Sequence, residues 1–405
     1  MRDPASPSRR LLLDLFRRGL AVVHGRATVR DWLAGHPEPG PFHLVALGKA
    51  AAAMTAGALD AVGADLRSGL VVTRYGHLDE PVYADPRLMC LEASHPLPDA
   101  QSLAAGNALQ LFMERTPGDA RFLFLISGGT SSLVEAPVAG VTPDELRRLN
   151  RWLLGSGLPI AEVNRVRTAV SCIKGGRLAA QLHGRHVTQL LISDVPGDVI
   201  GDIGSGLLIP SPPKALPRLP AEFAALPLHS GAVRAAGTVD SFIVASNRHA
   251  RDAVVRAACA AGHAAQDRGT LPAADARACG EIIARELMEA SPGVYVWGGE
   301  STVRLPPNPG AGGRNQHLAL AAAKAMSGRP DAFLLAASTD GSDGSDDAGA
   351  LVDGGSLVRG RDGGYDADLC LERAAAAEFL EASGDLVHTG PTGTNVMDLV
   401  IGYRA

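Results

Sequence analysis

One pattern recurs along this chain and limits what it can fold into. A short apolar run ends in a glycine-rich turn, and a helical pattern follows. Phe42–Leu47 leads into Gly48, Lys49 and the alanine-rich AAAAMTAGALDAV. The same order returns in RFLFLISGGTSSL (121–133), HVTQLLISDVPGD (186–198) and FLLAASTDGSDG (333–344), and SFIVASN (241–247) is another strand-to-turn before a helical pattern. Apolar runs of strand length that alternate with helical patterns signal βαβ units and a mostly parallel sheet. Loops that carry function in such sheets sit at the carboxyl ends of strands. The fold class expected is therefore α/β.

A chain of 405 residues suggests two domains. The Pro-rich segment 209–220 cannot continue a helix or an interior strand, so it is a candidate linker or surface excursion. The formal net charge is -5 and aromatics make up 4%, with no Lys/Arg run, which excludes a nucleic-acid surface as the expectation. Five scattered cysteines, never spaced C-x-x-C, read as small buried hydrophobes of a reducing compartment. Residues 9–24 place Leu12, Leu15, Phe16 and Leu20 on one helix face, while Asp14, Arg17 and Arg18 break up any signal-like apolar run. No stretch approaches a membrane span, so a soluble cytoplasmic protein is expected.

Five clusters at strand ends carry candidate chemistry. Lys49 follows a strand and opens a helix of small residues, although His43 and Ala50 stand where a Walker A loop needs Gly and Ser or Thr. The loop Ser127, Gly128, Gly129, Thr130, Ser131 and Ser132 makes a plausible phosphate cradle. Asp194, in a Gly/Pro loop, has the placement of a Mg²⁺ ligand. Asp340 opens a loop of four carboxylates whose spacing is wrong for an EF-hand. The segment His388–Asn395 can close over a ligand with backbone N–H groups.

The stretch Val296–Gln316 adds Arg314 at a helix start behind Gly310, Gly312 and Gly313, where no core needs three glycines and where an anion would be favoured. G-x-S-x-G, H-E-x-x-H and a dinucleotide fingerprint are all absent. Gly-rich loops, two placed cations and two acidic loops suit phosphoryl transfer, where the protein mainly positions groups and neutralises charge.

The motifs ALGKAA, SHPLPD, LFLISGGTSSL, NRVRTAVSCIKGGRLA, SDVPGDVIGDIGSG, WGGESTV, GGRNQ, STDGSDG and TGPTGTNVMDL, in this order, resemble the bacterial-type glycerate 2-kinase family, with its DUF4147 and C-terminal MOFRL regions. The resemblance runs from about residue 9 to 403 and implies a Rossmann-like domain over 1–235, with a parallel sheet covered by helices on both faces. It implies a smaller α/β MOFRL-type domain over 236–405, with the active site in the cleft between the two.

It also implies transfer of the ATP γ-phosphoryl group to the 2-hydroxyl of D-glycerate with Mg²⁺. On matching positions, Lys49 would face the transferring group and Arg314 would hold phosphate or the glycerate carboxylate. Asp194 and Asp340 would serve Mg²⁺ or the attacking hydroxyl. Ser127, Gly128, Gly129, Thr130, Ser131 and Asn395 would approach the nucleotide. Lys49 and Arg314 are expected to converge on one negative charge. Glycerate and ATP are the expected partners, and a homodimer is left open.

Three departures bear on substrate. His317 replaces the family's Glu and is expected to remove a partner of Arg314 or of a substrate hydroxyl, Leu207 replaces Pro, and Ser338 replaces Gly. The alternatives are a kinase of another small 2-hydroxy acid and a hydroxypyruvate reductase.

Overall fold

The computed structural model describes residues 6–37, 40–212, 215–229, 231 and 233–405. The chain forms two compact units. One is Gly25–Ala245; the other joins the described part of Met1–His24 to Ser246–Ala405.

The Gly25–Ala245 unit holds β1 (Phe42–Leu47), β2 (Leu66–Arg74), β3 (Leu88–Ala93), β4 (Arg121–Ile126), β5 (His186–Ile192) and β6 (Thr238–Ala245). All pair in parallel, in the order β3-β2-β1-β4-β5-β6. The sheet is parallel and Rossmann-like, as expected, and its order is doubly wound with the switch point between β1 and β4. The central strands are buried almost end to end, from Leu44 to Leu47 and from Phe122 to Ile126, because helices cover both faces.

The helix Ala51–Val62 packs on β1 and β2, and Ala100–Arg115 on β3. Gly57 lets the helix Gly25–Gly35 come close, since a Cβ there would stand 2.3 Å from the Arg26 carbonyl. The helix Pro143–Gly155 starts on Thr142, which forms a reciprocal capping box with Glu145.

The expected break at 235/236 gives β6 to the second half, yet β6 pairs with β5 and completes the first sheet. The Pro-rich segment is a surface excursion of this unit: Leu216 and Leu219 pack on a satellite core around Phe223. Pro213 and Lys214 lie outside the described residues.

The second unit holds β7 (Ala265–Thr270), β8 (Gly293–Gly299), β9 (Ala332–Ser338), β10 (Gly349–Asp353), β11 (Leu386–Val387) and β12 (Asp398–Arg404). Their order is β11-β10-β9-β12-β8-β7, and only β7 and β8 pair in parallel. Here β12 inserts antiparallel between β8 and β9, which brings the start of β12 level with their carboxyl ends.

The helices Ala276–Glu289 and Arg314–Ala325 build the main core on one face of this sheet. The expected N-terminal helix, Pro7–Val23, belongs to this unit and packs on the helix Asn247–Ala260. Gly19 permits the approach, since a Cβ there would meet Val254 Cγ2 at 2.9 Å. Arg9 pins the helix start to Asp353 and Asp385. Among the described residues, no helix is long and apolar enough to cross a membrane.

Candidate functional site

The predicted site residues form two groups, one on each unit. In the first, the turns after β1 and β4 interlock at the switch point. The Lys49 N–H donates to the Gly128 carbonyl at 2.8 Å, and the Ser127 N–H to Leu47 at 3.0 Å. A Cβ on Gly48, at φ +120°, would stand 2.3 Å from Ser127 Oγ, so only glycine fits. The Lys49 stem lies over the second turn, since a Cβ at Gly129 would come within 3.2 Å of its Cγ.

The Ser127 hydroxyl accepts from Ala50 N–H, and Thr130 Oγ1 donates to the Leu47 and Ser127 carbonyls. Both hydroxyls are buried and hold the turn together. What this loop presents are the first amides of the helical turn Thr130–Leu133, those of Thr130 and Ser131, since the N–H groups of Ser132 and Leu133 donate to the Gly129 carbonyl.

The half-buried Asp194 follows β5, and its loop runs on to Gly206. That loop is tied to the previous one by Ser205 and Ser131, whose hydroxyls are 2.6 Å apart. Beneath it lies a feature that the sequence reading passed over. Gly175 and Gly176 donate to the carbonyls of Ser205 and Gly206. The residue before them, Lys174, is 1% exposed and paired with Glu135, itself 2% exposed. Ser171 Oγ donates to the same carboxylate at 2.6 Å. Burial pushes the Lys174 ammonium below its ordinary pKa, against the opposing pull of Glu135. The sequence signal was a lysine between Ile173 and two glycines.

In the second group, Asp398 is central, and sequence reasoning missed it as a site residue. It opens β12 in register with Gly299 of β8 and Ser338 of β9, and it is completely buried. Arg314 grips it through Nε at 2.6 Å and Nη2 at 2.9 Å, and Nη2 also reaches Glu300 at 2.7 Å. Burial opposes the guanidinium charge, but Asp398 outweighs it, and the pKa of Arg314 rises further. These two carboxylates supply the partners whose loss was expected from His317. That imidazole is buried near Asp275 and Arg277, and its burial lowers its pKa.

The three glycines before Arg314 have a packing cause after all. A Cβ at Gly310 would stand 2.3 Å from Ala375 Cβ, and one at Gly313 would stand 2.1 Å from the Asp343 carbonyl. This loop docks at the break between the helices Ala367–Glu372 and Ala376–Ser383, where Ala374 has φ +51°. The acceptor at the helix start belongs to the protein. The Asp343 carboxylate accepts the N–H groups of Asn315 at 3.1 Å and Gln316 at 2.8 Å.

Asp340 is 6% exposed, and one of its oxygens accepts from the Ser342 N–H at 3.0 Å and from Ser338 Oγ at 2.9 Å. The last bond uses the hydroxyl that the family's usual Gly lacks. Asn395 is buried just before Val396, whose N–H donates to Thr339 Oγ1 at 2.8 Å. Arg314, Asp340 and Asn395 therefore gather at one end of the second sheet. Among the described residues, no group of three His, Cys, Asp or Glu side chains is set to hold a metal ion.

Burial pushes the Asp343 carboxyl up to about 7, and the Asp398 charge adds to this. Between about pH 4 and 7 the folded chain then keeps a proton that the unfolded chain has lost. Stability from this group falls as pH rises through that window. Asp343→Asn should gain on wild type by at least about 1 kcal/mol between pH 5 and pH 8, read from urea midpoints. A pH-independent difference between the two proteins would contradict this.

Residues 11–217 match the domain of unknown function DUF4147, and residues 293–398 match the MOFRL family. A D-glycerate 2-kinase of Thermotoga maritima is 34% identical, covering 99% of each chain. A protein of Agrobacterium vitis with the provisional name hydroxypyruvate reductase is 37% identical, covering 97% of this chain and 93% of its own. A crystal structure of glycerate kinase from Thermotoga maritima superposes with a TM-score of 0.82 at 32% identity, covering 98% of this chain and 99% of that one.

Proposed function

This chain belongs to the glycerate 2-kinase family, and we propose that it transfers the γ-phosphoryl group of ATP to the 2-hydroxyl of D-glycerate, giving 2-phosphoglycerate and ADP. The observation that carries this reading is Lys49 laid over the Gly128–Gly129 turn at the switch point of a doubly wound sheet. A cation beside helix-start amides favours a polyphosphate. Lys49 offsets charge on the transferring group, while the backbone of Gly128, Gly129, Thr130 and Ser131 and the side chain of Asn395 serve the nucleotide. Arg314, with its plane fixed by Asp398, holds a phosphate or the glycerate carboxylate.

Asp194 and Asp340 offer the hard oxygen donors that Mg²⁺ takes. Mg²⁺ held by one or two carboxylates plus substrate phosphates needs no three-ligand protein cage. When bound it would offset charge on the phosphate oxygens. One of these aspartates orients the hydroxyl, and a strong base is not required because the transition state is loose. A cytoplasmic location, where ATP is plentiful, fits this reading.

The test is coupled ADP release with D-glycerate against a panel of 2-hydroxy acids, followed by phosphorus NMR of the product. ADP release with D-glycerate and a 2-phosphate signal are expected. A product phosphorylated at the 3-position, or release only with another acid, would overturn the substrate assignment. NADPH oxidation by hydroxypyruvate without ATP use would overturn the kinase reading itself. The turn after β1, Leu47-Gly48-Lys49, lacks the G-x-G-x-x-G such a reductase needs.

A further inference from the structure

A buried carboxylate facing a guanidinium is a poor way to stabilise a fold, since well-packed apolar residues often do as well. The second unit nevertheless secures Asp398 from several sides. Asn247, at the start of the helix Asn247–Ala260, donates through Nδ2 to the carbonyls of Val396 at 2.8 Å and Asp398 at 2.9 Å. Position 298 must be glycine for this, because a Cβ there would lie 1.8 Å from Asn247 Oδ1. Thr339 Oγ1 donates to the Met397 carbonyl at 2.6 Å while it accepts the Val396 N–H. Between these anchors Met397 is held at φ +67°, a conformation disfavoured for a residue with a side chain. Strain of this kind persists where its surroundings over-determine it, and here it delivers the Asp398 carboxylate to Arg314.

We infer that Asp398 is a positioning residue that fixes the plane of Arg314, and that Asn247 and Thr339 act through it. This rests on the reading of Arg314 as the residue that holds substrate charge. Exposed Glu300 meets Arg314 at Nη2, and a bond to one nitrogen does not set the plane. Asp398 takes both Nε and Nη2, and two parallel bonds define a plane where one does not.

The experiment compares Arg314→Ala, Asp398→Asn and the double variant in steady-state kinetics of the full chain. Asp398→Asn should lower whichever of kcat or kcat/KM Arg314→Ala lowers, by about a hundredfold. In the Arg314→Ala background it should change that parameter by less than about twofold, because residues acting as one unit are non-additive. An additive loss, or a change in a different parameter, overturns the inference.

Asn247→Ala leaves every charge in place and carries the test if Asp398→Asn does not fold. It should move the same parameter in the same direction, and an unchanged value overturns the relay. A readout that needs no turnover is phenylglyoxal labelling of Arg314, followed by peptide mass spectrometry. Labelling should be at least about fivefold faster than wild type in Asp398→Asn, which removes the charge from both bonds, and faster than wild type in Asn247→Ala, where the carboxylate is no longer held against Arg314. Equal labelling rates overturn the inference. If wild type transfers phosphoryl to no hydroxy acid, the kinase reading fails, and the labelling rates alone decide the role of Asp398.

Discussion

Replacing Lys49 with alanine is expected to lower phosphoryl-transfer turnover by about 10³–10⁵, the range of a cation that neutralises a phosphoryl transition state. Arg314→Ala should lower it comparably, but the two variants should differ in stability. Lys49 is half-buried on the rim of a turn whose fold rests on Gly48, Ser127 and Thr130. Its removal should leave the unfolding midpoint near that of wild type. Arg314 faces a completely buried Asp398 with Asp343 close by. Its removal strands that charge and should cost stability as well as rate. Arg314→Lys keeps the charge but loses the bidentate grip, so an intermediate rate is expected. Paired measurements of turnover and urea midpoint separate the effects. Near-normal turnover in Lys49→Ala would remove Lys49 from the mechanism.

The largest effect on stability is expected at a buried pair that touches no predicted substrate group. Lys174→Met leaves Glu135 buried without its cation, and breaking a buried pair from one side costs about 3–5 kcal/mol. Pairing it with Glu135→Gln removes both charges and should recover much of the loss. The consequence reaches the site through Gly175 and Gly176, which hold the Ser205 and Gly206 carbonyls of the Asp194 loop. Faster amide exchange across residues 201–206 should accompany Lys174→Met. A single variant as stable as wild type would mean that the pair contributes nothing to the fold.

The two aspartates show how far local pattern reaches. Asp340 was legible because it ends an apolar run and opens a Gly-rich loop, a signal contained within a few residues. Asp398 sits inside an apolar stretch and looks like the first residue of a strand, which it also is. Its chemistry comes from Arg314, 84 positions away, and no periodicity connects the two. The glycines at 310, 312 and 313 show the reverse error. As sequence they resemble an anion loop, but the space they leave is filled by Ala375, Ala377 and Asp343. Asp343 likewise reads as one acid among four, and only the folded chain makes it the cap of the helix Arg314–Ala325.

Strand and helix period, turn residues and motif order by themselves determined the alternating α/β class, the first parallel sheet and the placing of Lys49, Asp194, Arg314 and Asp340 at element ends. These are short-range properties, fixed by backbone sterics and by which side of an element is apolar. Tertiary structure decided the rest. It assigned Pro7–Val23 to the unit of Ser246–Ala405, inserted β12 antiparallel between β8 and β9, and chose Asp398 and Glu300 as the partners of Arg314. Those outcomes depend on which buried surfaces and charges meet across long stretches of chain, and that is set by packing and desolvation rather than by the order of neighbouring residues.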